Sequence, residues 1–330
     1  MAATDTDKDI ARFTELTRAL RDEIRKVFVG QDEVVDGVLT CVIAGGHVLL
    51  EGVPGLGKTL LIRTLAQALD LQFSRVQFTP DLQPKDIIGA IQLIRDDNGI
   101  ERRVFEPGPL FSNIVLADEV NRATPRTQSA LLEAMAEYNV TVGRETHRLP
   151  SPYFVLATQN PLEQDGTYPL PEAQLDRFMY KLIVGYPTLE QLDEIMNRTL
   201  SPSKVEVKRV MGRDEVLELR EVSQRVGIAP SLQKFALRVL QATHPLEKTA
   251  PDLVKKFVRE GASPRAGQAI LASARVRALM RGEPMVTEQD IVASAVPALR
   301  HRLILNFEGE AEGVNRDELI RHLIEKTPRT

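Results

Sequence analysis

The stretch GVPGLGKT, residues 52–59, decides the fold. It fits the pattern G-x-x-x-x-G-K-[ST], and it lies between a short apolar run at residues 47–51 and a helical pattern. Its three glycines let the backbone curl so that N–H groups point at phosphate oxygens, and the helix N-terminus adds positive potential. In this pattern Lys58 can reach the terminal phosphates and Thr59 can hold Mg²⁺ through its hydroxyl. The stretch therefore predicts a nucleotide site on an α/β sheet.

Length and composition limit the class of protein. A chain of 330 residues is long enough for two domains, and 43% hydrophobic with 27% charged residues is typical of a soluble globular protein. No apolar run approaches the ~20 residues of a membrane helix, and the acidic N-terminus lacks the apolar segment of a secretion signal. We therefore expect a cytoplasmic protein without direct membrane insertion. The single cysteine, Cys41, excludes a disulfide framework and a thiolate zinc site.

The order of patterns along the chain predicts two domains. Short runs that are apolar on successive residues alternate with helical patterns up to about residue 186, which indicates a parallel sheet covered by helices on both faces. The predicted strands are residues 47–51, 73–78, 114–118, 153–158 and 179–184. Two hairpin patterns interrupt them, one with a turn at residues 97–99 and one around Gly143. We predict an α/β core at residues 1–186 and a smaller all-α lid at residues 187–330.

Polar side chains follow two of the predicted strands. Asp118 and Glu119 come directly after the apolar run IVLA, and Asn160 follows the run FVLAT with one residue between them. Parallel sheets bind ligands at the carboxyl ends of their strands. Asp118 can hold the shell of a metal ion, Glu119 can polarise a water for attack on the γ-phosphate, and Asn160 can orient that water. Glu119 favours hydrolysis over passive nucleotide binding.

Two arginines have open roles at this stage. Arg265 lies in the first turn of a helix predicted to begin at Ser263, where a cation opposes the helix dipole unless a bound phosphate offsets it. Arg177, in LPEAQLDRF, either pairs with neighbouring surface charges or points at something outside its own subunit.

In this order the motifs resemble those of AAA+ ATPases, and of the MoxR family in particular, from about residue 29 to about residue 305. GVPGLGKT is similar to Walker A, VLADEVNRA to Walker B, ATQNP to the sensor 1 strand, LPEAQLDRF to the arginine-finger segment and GASPRA to the sensor 2 helix. The hairpins resemble the helix-2 insert and the pre-sensor-1 hairpin of a clade that includes magnesium-chelatase motor subunits.

The resemblance implies hydrolysis of Mg·ATP in a homo-oligomeric ring, expected to be a hexamer with each site between two subunits. It implies catalytic roles for Lys58, Glu119, Asn160 and Arg177, the last supplied to a neighbouring subunit. Thr59 and Asp118 are the implied Mg²⁺ ligands. The implied nucleotide contacts are Val29, Gly30, Gln31, Gly52, Pro54, Gly55, Leu56, Gly57, Lys58, Thr59, Leu60 and Arg265.

The resemblance also implies a chaperone-like motor that remodels or matures protein substrates, with von Willebrand factor A domain adaptors on separate polypeptides. The hairpin tips at residues 97–99 and 143–145 are the expected substrate contacts. One alternative is a magnesium-chelatase-like motor subunit that drives metal insertion. Another is a nucleic-acid motor using Arg102, Arg103 and Arg144, although the formal net charge of −4 argues against nucleic acid. A third is an assembly factor in which ATP only closes the ring.

Overall fold

The computed structural model describes residues 5–95, 101–161, 166–200 and 205–329. The predicted turn at residues 97–99 therefore lies outside the described residues. Among the described helices, none has the length and apolar composition of a membrane span.

The core has the alternating order that the apolar runs predict. Short 3₁₀ turns at Pro109–Phe111 and Val120–Arg122 flank the strand that ends in the carboxylates. The helices and strands are α1 (Asp5–Val27), α2 (Asp32–Ala44), β1 (His47–Glu51), α3 (Lys58–Ala68), β2 (Phe73–Gln77), α4 (Pro84–Ile88), β3 (Gly89–Arg95), β4 (Glu101–Pro107), β5 (Ile114–Asp118), α5 (Pro125–Glu137), β6 (Asn139–Val142), β7 (Glu145–Arg148), β8 (Phe154–Gln159), α6 (Glu172–Leu175) and β9 (Phe178–Ile183).

Five parallel strands form the central sheet of the described core, in the order β2-β5-β8-β1-β9. All residues of β5 are buried, as expected for a strand covered on both faces. This order brings the carboxyl ends of β1, β5 and β8 together, so the loop at residues 52–57, the two carboxylates and Asn160 lie along one edge. The predicted fold class is confirmed.

Two antiparallel hairpins are inserted in this core, as predicted. One is β3–β4 and the other is β6–β7. They pack against each other through Phe105 and His147, whose rings stack with 3.9 Å between their centroids. The tip of the second hairpin, around Gly143, is exposed.

The second part of the chain is mainly helical, and one of its helices begins at Ser263 as predicted. Ser263 caps the helix Pro264–Met280 by accepting a 3.2 Å hydrogen bond from the backbone N–H of Arg265. Thr188 and Gln191 cap the first lid helix reciprocally. The elements are α7 (Leu189–Leu200), α8 (Arg213–Gln224), α9 (Pro230–Gln241), α10 (Asp252–Phe257), β10 (Val258–Glu260), α11 (Pro264–Met280), α12 (Glu288–Leu299), β11 (Ile304–Leu305), α13 (Phe307–Ala311) and α14 (Arg316–Lys326).

One detail of the all-α lid is corrected by the structure. β10 and β11 form a short antiparallel pair within the lid. Strands of three and two residues are too short to produce a recognisable alternation of apolar and polar residues, which is why the pattern did not predict them.

The lid is attached to the edge strand β9 of the core sheet. Arg300 donates to the carbonyl of Lys181 at 2.7 Å, and Arg302 donates to the carbonyl of Phe178 at 2.7 Å. The ring nitrogen Nε2 of His301 lies 2.9 Å from the same Phe178 oxygen. These side chains occupy backbone groups that an edge strand would otherwise expose. One of the two hydrophobic clusters of the described residues extends from α1 and α2 into α8, α11 and α12, so the two parts pack against each other.

Candidate functional site

The loop between β1 and α3 has a backbone that requires glycine at two positions. Gly57, directly before α3, has φ +78°, and a Cβ atom there would lie 3.2 Å from the ring of Phe28. At Gly52 a Cβ atom would come within 2.7 Å of the carbonyl oxygen of Val184. The loop therefore keeps its backbone open for a ligand while it packs closely on the strand beside it.

Lys58 begins α3 and lies across this loop. Its ammonium group donates to the carbonyl of Gly52 and, at 3.2 Å, to that of Val53. Burial lowers the pKa of Lys58, while the carboxylates of Asp118 and Glu119 oppose that shift. A cation over a loop that leads into a helix N-terminus fits an incoming polyphosphate, because the anion would replace neutral carbonyl partners with charged oxygens.

Asp118 ends β5 with both carboxylate oxygens engaged. One oxygen accepts a 2.6 Å hydrogen bond from the hydroxyl of Thr158. The other accepts from Nε and Nη2 of Arg75, at 3.1 and 2.7 Å. Thr59, in the first turn of α3, and Asp118 present the hydroxyl and carboxylate oxygens that Mg²⁺ prefers, so this donor set fits the ion.

Glu119 adopts a left-handed backbone conformation with φ 56°. A 2.8 Å hydrogen bond from its N–H to the hydroxyl of Thr158 holds it there. Its Oε2 atom accepts from Gln77 at 2.7 Å and from Arg122 at 3.0 Å. Non-glycine residues in this conformation cost of order 1–3 kcal/mol and occur often at functional sites. The two donors hold the Glu119 carboxylate in its present direction through a single oxygen.

Asn160 lies at the same edge, one residue beyond β8, and is buried. The structure thus brings Lys58, Asp118, Glu119 and Asn160 to the carboxyl ends of β1, β5 and β8.

A mostly apolar cavity of about 290 Å³ adjoins the loop. Its walls come from residues 27–31, the loop and start of α3, residues 186–187 and α7. Such walls suit the flat apolar faces of a purine base. Of the predicted nucleotide contacts, those that line it are Val29, Gln31, Gly55, Leu56, Gly57 and Leu60. The others, Gly30, Gly52, Pro54, Lys58 and Thr59, belong to the same two segments.

Arg177 is at the opposite edge of the sheet. It directly precedes β9, which runs parallel to β1 with Phe178 beside His47 and Ile183 beside Glu51. The nucleotide loop begins after Glu51, so one full strand of five residues, about 16 Å at 3.3 Å per residue, separates Arg177 from the loop of its own chain.

Arg265 contacts Asp176, the residue before Arg177, and is not among the residues described around the cavity. Its guanidinium is 3.4 Å from the carboxylate of Asp176, which also accepts from Ser263. Arg177 itself donates to the carbonyl of Leu132. Arg265 thus lies beside the residue that precedes Arg177, and the register of β9 places Arg177 away from the nucleotide loop of the same chain.

The sequence interpretation missed residues on both sides of the site. Arg75 and Gln77 are two apart on β2, so both contact the carboxylates of the neighbouring strand β5. Little in the sequence signals them, because β2 is an edge strand with one buried residue, where polar residues at alternate positions are common. Tyr186, Ile195 and Met196 also line the cavity. Their role depends on how α7 docks, and no local pattern predicts that.

Comparisons with known proteins agree with this geometry. Residues 47–180 match the ATPase family associated with various cellular activities (AAA), and residues 252–323 match the AAA lid domain. The chain is 43% identical to Chaperone MoxR1 of Mycobacterium tuberculosis over 303 residues, which covers 92% of this chain and 79% of that protein. It is 30% identical to Protein MoxR of Paracoccus denitrificans over 343 residues, with 96% and 94% covered.

A solved structure is similar over nearly the whole chain. The crystal structure of a candidate ATPase from Cytophaga hutchinsonii superimposes with a TM-score of 0.90 at 40% sequence identity, and it covers 97% of each chain.

Proposed function

We propose that this chain, which belongs to the MoxR family of AAA+ ATPases and hydrolyses ATP, acts in a homo-oligomeric ring, expected to be a hexamer, that remodels or matures partner proteins. The observation that supports a ring most directly is the register of β9 on β1. It puts Arg177 about 16 Å from the nucleotide loop of its own chain, farther than an arginine side chain reaches.

Each subunit supplies most of a hydrolytic site at the carboxyl edge of its sheet. Lys58 and the backbone N–H groups of the loop bind phosphate oxygens, and Glu119 accepts a proton from the attacking water, which Asn160 orients. Thr59 and Asp118 would hold Mg²⁺, which supplies charge neutralisation at the phosphates when bound.

The remaining positive charge for the γ-phosphate comes from the neighbouring subunit. Arg177 lies at the amino edge of the sheet, and Arg265 contacts the preceding residue, Asp176, so an adjacent subunit can receive both arginines on its nucleotide. An arginine supplied in this way is worth about 10³–10⁵ in rate. This arrangement makes hydrolysis depend on assembly.

Protein is the substrate class that the hairpin surface favours. On β3–β4, Leu93 is 68% exposed and Val104 is 43% exposed, and they are on opposite faces of the hairpin. Apolar side chains exposed on both faces suit an unfolded or partly folded polypeptide better than a phosphate backbone. Adaptors with von Willebrand factor A domains, on separate polypeptides, would bring such substrates to the ring.

Mixed rings test the shared site. Arg177→Ala keeps ATP binding and lowers hydrolysis by several orders of magnitude, while Lys58→Ala loses hydrolysis at its own site but still supplies Arg177. Rings that contain both variants recover ATPase activity, since each subunit provides what the other lacks. No recovery in rings shown to be mixed would contradict the shared site.

A trapping experiment tests the remodelling role separately. Glu119→Gln protein in ATP binds nucleotide without turnover and holds its substrate, so affinity purification from cell extract should recover partner proteins. Lys58→Ala protein is the control. Equal recovery by both variants, or none by either, would remove support for remodelling without affecting the shared site.

A further inference from the structure

We propose that Asp176 is the positioning residue that holds Arg177 in place for the neighbouring subunit, and that it does so by bonding the finger segment, residues 171–177, to the lid of its own chain. This inference rests on the trans role of Arg177 proposed above. It identifies the residue on which the position of Arg177 depends and the contact between core and lid that fixes this position.

The Asp176 carboxylate is the point where three lid side chains meet. Its Oδ1 atom accepts from Nε of Arg302 at 2.7 Å and from the hydroxyl of Ser263 at 2.8 Å. Its Oδ2 atom accepts from the same hydroxyl at 2.9 Å and lies 3.4 Å from Nη1 of Arg265. Ser263 is the cap of α11, so one carboxylate binds both the start of that helix and the arginine in its first turn.

Arg302 makes this contact rigid. Its side chain is 3% exposed, and it donates to the backbone carbonyls of Asp176 at 2.8 Å, Phe178 at 2.7 Å and Met179 at 3.2 Å. These acceptors lie on both sides of Arg177 in the chain. The backbone of Arg177 is therefore held by one buried guanidinium, and a second link joins Arg259 of the lid to Glu172 of the finger segment.

The finger arginine needs such a support because little else orients it. Its backbone N–H donates to Gln174 in the single turn of α6, and its guanidinium donates to the carbonyl of Leu132. Because Arg177 lies between a single helical turn and the first residue of a strand, the local backbone does little to fix the direction of its side chain. An arginine that must meet a charge on another subunit tolerates little displacement, since about 1 Å can cost about a hundredfold in rate.

The test uses rings with two kinds of subunit and compares the effect of Asp176→Asn in one kind with its effect in the other. Donor subunits carry Lys58→Ala and supply the finger, while receiver subunits carry Arg177→Ala and supply the intact nucleotide site. Asp176→Asn is then added to the donor or to the receiver. We expect the recovered ATPase activity to fall about tenfold or more when the change is in the donor and to stay within about twofold when it is in the receiver.

A matched control separates positioning from general loss of structure. Asp317→Asn in the donor breaks the pair with Arg300; the Asp317 side chain is as exposed as that of Asp176, at 17%, but both partners of this pair are in the lid, outside the finger segment. It should leave the recovered activity unchanged. Thermal unfolding and ring assembly of each double variant show that the subunits fold and mix.

Each other outcome overturns the proposal. Equal losses with Asp176→Asn in donor and receiver would make Asp176 a structural residue of the whole subunit. Full recovery with the change in the donor would show that Arg177 does not depend on it. If the parent mixture of Lys58→Ala and Arg177→Ala recovers no activity in mixed rings, the trans role itself fails, and the role of Asp176 fails with it.

Discussion

The side-chain amide of Gln77 donates a 2.7 Å hydrogen bond to Oε2 of Glu119, the carboxylate expected to activate water. Arg122 donates to the same oxygen at 3.0 Å. Gln77 also accepts from Arg75, which in turn holds Asp118. Strand β2 therefore contacts both carboxylates of the site and couples their positions.

Removal of the Gln77 amide should raise the basal rate of ATP hydrolysis. The Gln77 amide holds the Glu119 carboxylate in its present direction, and turning that carboxylate toward an attacking water breaks this hydrogen bond, which typically contributes about 0.5–1.5 kcal/mol. We therefore expect Gln77→Ala to raise kcat by about twofold to tenfold, measured by phosphate release without partner proteins.

The control for this prediction is Gln92→Ala. Gln92 donates to Glu106 across the exposed β3–β4 hairpin, so the substitution removes a similar glutamine–glutamate contact away from the nucleotide loop. It should leave kcat unchanged. A lower kcat for Gln77→Ala would show that this amide orients Glu119 for the reaction instead of restraining it.

A charge in the apolar cavity should weaken ATP binding without removing the chemistry. Ile195 of α7 lines the cavity beside the nucleotide loop. Ile195→Asp places a carboxylate against the base and near the triphosphate, which adds desolvation and repulsion. We expect Kd and KM for ATP to rise about tenfold or more, while kcat at saturating ATP falls much less.

Asn197→Asp adds the same charge to the same helix, two residues away and outside the described cavity wall. Its Kd for ATP, measured by isothermal titration, should stay close to that of the wild type. Equal weakening by both variants would mean that α7 acts through its overall charge, and the assignment of this cavity to the base would be wrong.

Sequence alone predicted those parts of the site whose residues are close together in the chain. The β5 prediction at residues 114–118 matches the strand, and that for β8 is displaced by one residue, because short apolar runs with clear ends define buried strands well. The contact between Arg265 and Asp176 joins residues 89 apart, and that between Gln77 and Glu119 joins residues 42 apart. Both depend on strand order and lid docking, which local patterns do not encode.

The buried histidine of β1 should make the protein less stable in mild acid. His47 is 4% exposed, its Nδ1 accepts from the N–H of Val155, and its Nε2 lies 3.1 Å from the carbonyl of Met135. Burial lowers the pKa of His47 from 6.5 to about 4. The unfolded chain therefore binds a proton that the folded chain does not between those values, so stability is lost as pH falls below 6.5.

The expected loss from His47 is about 2 kcal/mol between pH 7.5 and pH 5. Urea unfolding across that range measures it, and His47→Gln should show a shallower dependence of the free energy of unfolding on pH. Burial also lowers the pKa of His301, so part of the dependence remains. His322→Gln, the same change in α14, is the control. An unchanged slope for His47→Gln would show that His47 is already charged in the folded protein.

The buried guanidinium of Arg302 should contribute strongly to stability, because it joins the lid to strand β9. Arg302→Met keeps much of the side-chain volume but leaves the Asp176 carboxylate and several backbone carbonyls without this donor. Breaking one side of a buried pair costs about 3–5 kcal/mol, measured as the free energy of urea unfolding. Arg95→Met, which breaks the exposed pair with Glu101, should cost less than about 1 kcal/mol. Similar small losses for both variants would mean that the lid is held by its apolar packing on α1 and α2 and that the contacts to β9 add little.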